Sequence, residues 1–184
     1  MKSVVVGMSG GVDSAVAAAL LVDQGYRVQG VTLRTWDTEE GETTSKKWQE
    51  RGCCKIGIAR YVAERLNIPH RVIDIRDHFR AAVVQDFIQG YLSGLTPNPC
   101  VRCNERVKFG CLVDAARELG ADYVATGHYA QVLPDAEGRL HLHKGGDPRK
   151  DQSYFLHRLS RGWLSRLLFP VGGMHKDEVW SRAE

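Results

Sequence analysis

Long hydrophobic runs, internal repeats and low-complexity segments are absent from this sequence of 184 residues. A helix that spans a bilayer needs about 20 consecutive apolar residues, and no stretch approaches that length. The N-terminus also lacks a charged leader, so we expect a cytoplasmic protein without membrane contacts. Hydrophobic residues make up 43% and charged residues 26% of the chain, which is typical of a soluble globular protein. At this length we expect one domain, over residues 1–184.

A strong charge bias is also missing. The 25 basic and 22 acidic residues give a formal net charge of +3, which neither indicates nor excludes a nucleic-acid partner. Positive charge is concentrated between positions 144 and 166, where six basic residues face two acidic ones: Lys144, Arg149, Lys150, Arg158, Arg161 and Arg166, against Asp147 and Asp151. Such an excess fits a surface that binds a phosphate backbone, and it equally fits a solvated basic face.

The five cysteines are an odd number, which in the cytoplasm favours reactive, metal-binding or buried thiols over disulfides. Cys100 and Cys103 form a Cys-x-x-Cys pair, which is compatible with a redox couple, half of a metal site or coincidence. Cys53 and Cys54 are adjacent, which is poor geometry for binding one ion. Cys111 falls on an apolar helix face, and we expect it in the core.

The N-terminal stretch predicts an anion site. A β-branched run at residues 4–6 indicates a buried strand, and an alanine-rich helix follows over residues 15–21. Between them lie two adjacent glycines, two serines and an aspartate, in a segment that we call the glycine bend (Gly7–Ser14). A glycine turn that opens a helix presents backbone N–H groups and the positive end of the helix dipole. The alternative is an ordinary strand-to-helix turn with Ser or Asp as the N-cap.

Strand and helix patterns then alternate along the chain. This alternation, with short connections, predicts an α/β fold with a Rossmann-like parallel sheet, helices on both faces and right-handed crossovers. A hairpin is expected at residues 130–142, and with the basic stretch it forms an extension over 130–184. The predicted strands are 4–6, 27–33, 71–75 and 122–126, and the predicted helices are 15–21, 54–66, 79–92, 105–119 and 175–184.

The segment around Cys103 predicts a reactive thiol. Two prolines at positions 97 and 99 indicate a stiff turn and are expected to exclude regular structure there. We expect Cys103 at or just before the N-terminus of the following helix, with Arg102 and Arg106 nearby. A helix N-terminus and neighbouring cations both favour the thiolate, which is the nucleophilic form.

The glycine bend resembles the pyrophosphate-binding loop of the ATP pyrophosphatases, and further motifs are similar to those of the bacterial tRNA-specific 2-thiouridylases. These motifs follow one another in order along the whole chain: residues 7–14, 96–109, 125–129, 150–156 and 168–172. The resemblance implies an enzyme that uses ATP and Mg²⁺ to adenylate the wobble uridine of tRNA at its C2 oxygen. Sulfur from a protein persulfide, relayed from a cysteine desulfurase, then replaces that oxygen. The family suggests the tRNAs for Lys, Glu and Gln as substrates.

Carried over by position, the resemblance also implies site residues. Cys103 is the nucleophile, and Asp13 is part of the catalytic set as well as of the phosphate loop. Leu33 and Gly127 flank the adenosine. The phosphate loop is Gly7, Met8, Ser9, Gly10, Gly11, Val12, Asp13 and Ser14, and the tRNA contacts are Asn98, Pro99 and Cys100 at the target base, His128, and Lys150, Asp151 and Gln152.

Two departures from the family pattern keep alternatives open. The family has a second, persulfide-bearing cysteine beyond the motif around Phe169, so we expect these 184 residues to bind ATP but to thiolate tRNA poorly. Cys100 gives Cys103 a close partner, and an iron–sulfur cluster held by Cys100, Cys103 and a later cysteine is a minority hypothesis. The alternative functions are another ATP pyrophosphatase that adenylates a small molecule, or an ATP-binding domain without activity.

Overall fold

A computed structural model describes residues 1–36 and 55–184. Part of the helix predicted at 54–66, together with Cys53 and Cys54, lies outside the described residues. Among the described residues, no helix is long and apolar enough to cross a membrane. The elements are β1 (Ser3–Gly7), α1 (Val12–Asp23), β2 (Arg27–Arg34), α2 (Ile56–Arg65), β3 (His70–Asp74), α3 (Arg76–Phe79), α4 (Gln85–Leu92), α5 (Pro99–Arg102), α6 (Phe109–Glu118), β4 (Tyr123–Thr126), β5 (Ala130–Pro134), β6 (Leu140–Lys144), α7 (Ser153–Leu156), β7 (Leu167–Leu168) and α8 (Lys176–Ala183).

Five of the strands form one parallel sheet in the order β3-β2-β1-β4-β7. The register aligns Gly7, the last residue of β1, with Val31 of β2 and with Thr126 of β4. The predicted α/β fold with a Rossmann-like parallel sheet is therefore confirmed. Strand order reverses beside β1, and in open α/β sheets such a reversal is where ligands bind, at the carboxyl ends of the strands.

Helices cover both faces of the sheet, as predicted. Val4 and Val6 of β1 belong to a buried cluster with α1 and α2, including Ala18 and Ala59. Val5 points to the other face and belongs to a larger cluster that includes residues of α6. Because side chains alternate along a strand, a continuous valine run places apolar groups on both faces of the sheet.

The helix that carries Cys103 begins earlier than predicted. Asn98 is the N-cap, Pro99 is the first helical residue, and a π-helical segment, Cys103–Lys108, joins α5 to α6. The N–H of Phe109 donates to the carbonyl of Asn104, five residues back. A second π-helical segment, Arg80–Val84, joins α3 to α4 in the same way. The expectation that Pro99 excludes regular structure was wrong because proline is well suited to the first position of a helix.

The hairpin and the C-terminal segment close the fold. Strands β5 and β6 pair antiparallel, as predicted for 130–142. Val179 of α8 is fully buried, in a cluster with Val16 of α1. Three elements at this end were not predicted from the sequence: helix α7, the 3₁₀ turn Arg161–Arg166, and strand β7, into which that turn leads.

Candidate active site

The glycine bend leaves the N-terminus of α1 open. Its N-cap is Gly11, and no side chain caps the helix. Among the described residues, no hydrogen-bond acceptor is found for the N–H groups of Val12, Asp13 and Ser14. The hydroxyl of Ser14 instead donates to the Gly11 carbonyl at 2.8 Å. N–H groups of this kind are open to water or to an anion, and the alternative in which Ser or Asp is the N-cap is wrong.

Two glycines allow the bend to form. Gly10 has a φ of +78°, in the region that favours glycine, and a Cβ there would collide with the backbone of Lys55. At the end of β4, a Cβ on Gly127 would lie 2.5 Å from the carbonyl carbon of Asp13 and 2.6 Å from the nitrogen of Ser14. The end of β4 thus rests directly on the start of α1.

Asp13 lies at the centre of a polar cluster. Its Oδ1 accepts a hydrogen bond from the Tyr129 hydroxyl at 2.7 Å. The same oxygen forms an ion pair with Lys176 Nζ at 2.5 Å. Burial and then the bond to Asp13 raise the pKa of Tyr129, which therefore stays a donor. Tyr129 and Lys176 were not among the predicted site residues, because no spacing signal links position 13 to positions so distant in the chain.

Hydrogen bonds from β2 hold the bend at the sheet edge. Met8 N donates to the Val31 carbonyl at 2.8 Å, and the Thr32 hydroxyl donates to the Met8 carbonyl at 2.7 Å. Leu33 follows Thr32 on β2, and Gly127 follows the last residue of β4. These two residues, which are predicted to flank the adenosine, therefore lie in and just after the two strands on either side of β1. Leu33 is buried in the core.

Cys103 lies beyond the same edge of the sheet, but not at a helix N-terminus. A Cβ on Gly7 would lie 2.9 Å from Leu112 Cδ1, which places Leu112 beside the end of β1. Cys103 precedes Leu112 by nine residues, or about 13 Å of helix. A helix that connects two parallel strands runs opposite to them, so its first turns extend past the carboxyl ends of the strands. Cys103 is half-buried and packs against the core.

The two arginines near Cys103 are already paired with carboxylates. Arg102 lies 3.3 Å from Asp86 and 3.2 Å from Glu105, and Arg106 lies 3.6 Å from Asp86. Both reasons that the sequence offered for an activated thiol are therefore weakened. The helix begins one turn before Cys103, and the two arginines near the thiol are neutralised by carboxylates.

The predicted target-base loop forms the start of this helix. Asn98 Oδ1 accepts hydrogen bonds from Cys100 N at 3.0 Å and Val101 N at 3.2 Å, so it acts as the helix cap. Cys100 is exposed in the first turn. Asn104 is buried, and its Nδ2 donates to the Phe155 carbonyl at 3.2 Å. Its Oδ1 finds no partner within the described residues.

His128 lies between two aromatic rings. Its ring centroid is 5.7 Å from that of Phe109 and 6.3 Å from that of Phe169. Its Nδ1 is 2.7 Å from the Thr126 hydroxyl. Burial and, next, the nearby Lys108 lower the pKa of His128 well below its usual value. The side chain is therefore a neutral ring at the end of β4.

Of the three consecutive residues predicted to contact tRNA, Lys150, Asp151 and Gln152, the last two form hydrogen bonds within the fold. Gln152 Oε1 accepts from Tyr129 N at 3.0 Å, and Asp151 accepts from Gly145 N at 2.9 Å and from Ser153. Burial acts against ionisation of Asp151, but these hydrogen bonds outweigh it and lower its pKa. Lys150 is exposed, and it is the member of the trio whose charge faces solvent.

The basic stretch divides into structural and solvent-facing residues. Arg166 donates to the carbonyls of Ala121 and Asp122. Arg158 pairs with Glu105 at 2.9 Å, and Arg149 with the buried Asp147. The remaining three have no ion pair within the described part of the chain: Lys144, Lys150 and Arg161.

The described residues contain no group of three or more His, Cys, Asp or Glu side chains placed to hold a metal. The hypothesis of an iron–sulfur cluster held by Cys100, Cys103 and a later cysteine therefore receives no support from them. Mg²⁺ is commonly bound by one or two carboxylates together with substrate phosphates. Asp13 is the carboxylate in the glycine bend, and it fits that mode beside bound phosphates.

Comparison with known proteins agrees with this geometry. The chain is 51% identical to the tRNA-specific 2-thiouridylase MnmA of Geotalea uraniireducens and 49% identical to that of Geobacter metallireducens. Each alignment covers 97% of this chain and 48% or 49% of the relative, so the chain spans about half the length of these relatives. The fold resembles that of a glutamine-dependent NAD⁺ synthetase from Acinetobacter baumannii, solved in complex with adenosine diphosphate. That likeness has a TM-score of 0.53 at 17% identity and covers 98% of this chain and 28% of the synthetase.

Residues 2–184 match the model of the family described as tRNA methyl transferase HUP domain. The match extends over nearly the whole chain, as do the motifs noted in the sequence. The chain therefore belongs to this family, and its resemblance to the bacterial tRNA-specific 2-thiouridylases is confirmed.

Proposed function

We propose that this chain is the ATP-binding and thiol-bearing part of an enzyme that converts the wobble uridine of tRNA to 2-thiouridine. The uridine C2 oxygen attacks the α-phosphorus of ATP, pyrophosphate leaves, and the base becomes adenylated. The outer sulfur of a protein persulfide then attacks C2, and AMP leaves with the oxygen. The Cys103 thiolate attacks the inner sulfur, so the S–S bond of the persulfide breaks, the outer sulfur stays on C2, and a disulfide forms between Cys103 and the persulfide-bearing cysteine. The persulfide relay, the tRNAs for Lys, Glu and Gln, and a cytoplasmic location belong to this proposal.

The open N-terminus of α1 is the observation that carries the proposal. Three N–H groups at the start of α1 have no acceptor among the described residues. They follow the carboxyl end of β1, and open α/β sheets bind nucleotides at the carboxyl ends of their strands. Oriented N–H groups stabilise charge that develops on a departing pyrophosphate. Lys176 lies beside this bend in an ion pair with Asp13. Mg²⁺ bound with the phosphates would supply further charge neutralisation.

The position of Cys103 supports the second half of the reaction. The thiol lies past the carboxyl ends of the strands, about 13 Å along the helix from the residue that packs on Gly7. The ring of His128 packs against Phe109, the first residue of α6, and Cys100 is exposed in the first turn of α5.

Pyrophosphate exchange tests the adenylation step. We expect labelled pyrophosphate to enter ATP faster when tRNA is present, because the base is the acceptor of the adenylyl group. Exchange that proceeds equally without tRNA would favour an enzyme that adenylates a small molecule. ATP binding without any exchange would favour an inactive ATP-binding domain.

Alkylation tests the thiol. In the Cys100→Ser/Cys111→Ser background we expect ATP and tRNA together to slow the reaction of Cys103 with iodoacetamide. Matched samples of Cys103→Ser report the labelling at any other cysteine. Equal alkylation rates with and without both ligands would show that the sulfur does not face the bound substrates.

A further inference from the structure

An exposed pair of aromatic rings lies next to the helical stretch that carries Cys103 (residues 99–118, the cysteine helix). These rings have no part in the site described above. The Tyr154 side chain is 62% exposed. Its ring centroid lies 5.6 Å from that of His157, with 36° between the ring planes. His157 Nδ1 is 2.6 Å from the Tyr154 carbonyl, which fixes the second ring relative to the first. We call these two residues the aromatic step.

A shallow depression adjoins the step. Its volume is about 170 Å³, and its lining consists of leucines with two histidines and an arginine: Leu140, Leu142, Leu156, Leu159, Leu164, His141, His157 and Arg161. Pockets for drug-sized ligands measure roughly 300–1,000 Å³. The depression is therefore too small for a whole cofactor, and it suits one flat group with apolar faces.

The step is directly connected to the cysteine helix. Asn104, the residue after Cys103, donates from Nδ2 to the Phe155 carbonyl at 3.2 Å. Arg158 is paired with Glu105 of the same helix at 2.9 Å. On the other side, α7 begins immediately after Gln152, which is bonded to Tyr129. A ligand on the step would thus lie beside the proposed target-base loop.

The charge around the step selects the kind of ligand. Arg161 borders the depression, and neither it nor Lys144, at the end of β6, has an ion pair among the described residues. Exposed rings next to cations are the usual means by which proteins bind unpaired nucleotides, since bases stack on rings and phosphates approach cations.

We propose that the aromatic step stacks an unpaired nucleotide of the tRNA close to the one that is modified, and that Arg161 binds a phosphate beside it. This inference rests on the proposed function, because it assigns one contact of the same substrate. It adds a surface beyond residues 150–152, and it explains why two exposed rings follow that segment so closely.

Binding of two labelled RNAs tests the proposal. One is an anticodon stem–loop RNA, and the other is a blunt duplex with the same stem sequence and no loop. We expect Tyr154→Ala to weaken binding of the stem–loop by about 5- to 150-fold, the range for loss of one stacked base. Tyr154→Phe keeps the ring and should bind like the wild type. Arg161→Ala should lower the salt dependence of log K by about 0.7.

Tyr61→Ala is the matched control, because Tyr61 is 60% exposed on α2, on the opposite face of the sheet. It should leave RNA binding unchanged. The stacking proposal is overturned if Tyr154→Ala binds the stem–loop like the wild type, or if it weakens the duplex equally. In either case normal ATP–pyrophosphate exchange with tRNA would leave the proposed function standing. A wild type that binds ATP but neither RNA would overturn both.

Discussion

Replacing Gly127 with alanine should separate the end of β4 from the start of α1. The added Cβ would lie 2.5 Å from the carbonyl carbon of Asp13, whereas ordinary contacts begin at 3.4 Å. Backbone must therefore retreat by about 0.9 Å, because no flexible side chain can move aside instead. Overpacking of this kind costs about 1–3 kcal/mol of folding free energy.

The same displacement should weaken ATP binding. A hydrogen bond of about 2.9 Å that lengthens by 0.9 Å is no longer a hydrogen bond. Each bond from an N–H group to a charged phosphate is worth about 1.5–3 kcal/mol. Loss of one bond therefore raises the dissociation constant for ATP about 10- to 150-fold.

Calorimetric titration with ATP and urea unfolding of Gly127→Ala measure both effects. Gly57→Ala is the matched control, because a Cβ at that exposed position of α2 meets nothing within 4 Å. We expect it to bind ATP normally and to stabilise the fold by about 0.4–1 kcal/mol. Unchanged ATP affinity and stability in Gly127→Ala would refute the contact and the phosphate site built upon it.

Two further changes test the core and the hairpin. Leu112→Ala should lower the free energy of unfolding by about 2–5 kcal/mol in urea titrations, since Leu112 is fully buried, whereas Leu92→Ala at a position 76% exposed should change it by less than about 0.5 kcal/mol. In the hairpin turn, burial opposes ionisation of Asp135, but hydrogen bonds from His141 and Arg139 outweigh it and lower its pKa to about 2. Because the pKa is depressed on folding, this contribution to stability is present above about pH 4 and is lost as the pH falls towards 2. Asp135→Asn should remove that pH dependence, and a wild-type hairpin whose stability is flat between pH 5 and 2 would contradict the assignment.

The fold could be predicted because its strands carry a strong local signal. The valines of β1 form a β-branched run that ends at Gly7, and the helix that follows is rich in alanine, which has the best helix propensity. Strand β7 has only two residues, and its pairing with Val124 and Ala125 depends on packing rather than pattern. A two-residue strand is too short to show any periodicity.

The site could be predicted only where it is local in sequence. The glycine bend could be recognised because its glycines and serines lie within eight residues of one another, and its role as a phosphate site stays a prediction. The partners of Asp13 come from Tyr129 and Lys176, and only the tertiary fold brings them together. The start of the helix that carries Cys103 was predicted too late in the chain, because Pro99 was expected to exclude regular structure. In the structure Asn98 is the N-cap and Pro99 is the first helical residue.

The π-helical segment between α5 and α6 determines the direction of the Cys103 side chain. Nine residues of ordinary α-helix, at 100° each, would place Cys103 on the side opposite Leu112. A bond that reaches back five residues instead of four encloses one extra residue, which turns the sulfur about 100° back towards the core. Removal of a single residue between 104 and 108 would undo that rotation without changing Cys103. The length of this segment therefore sets which way the thiol points.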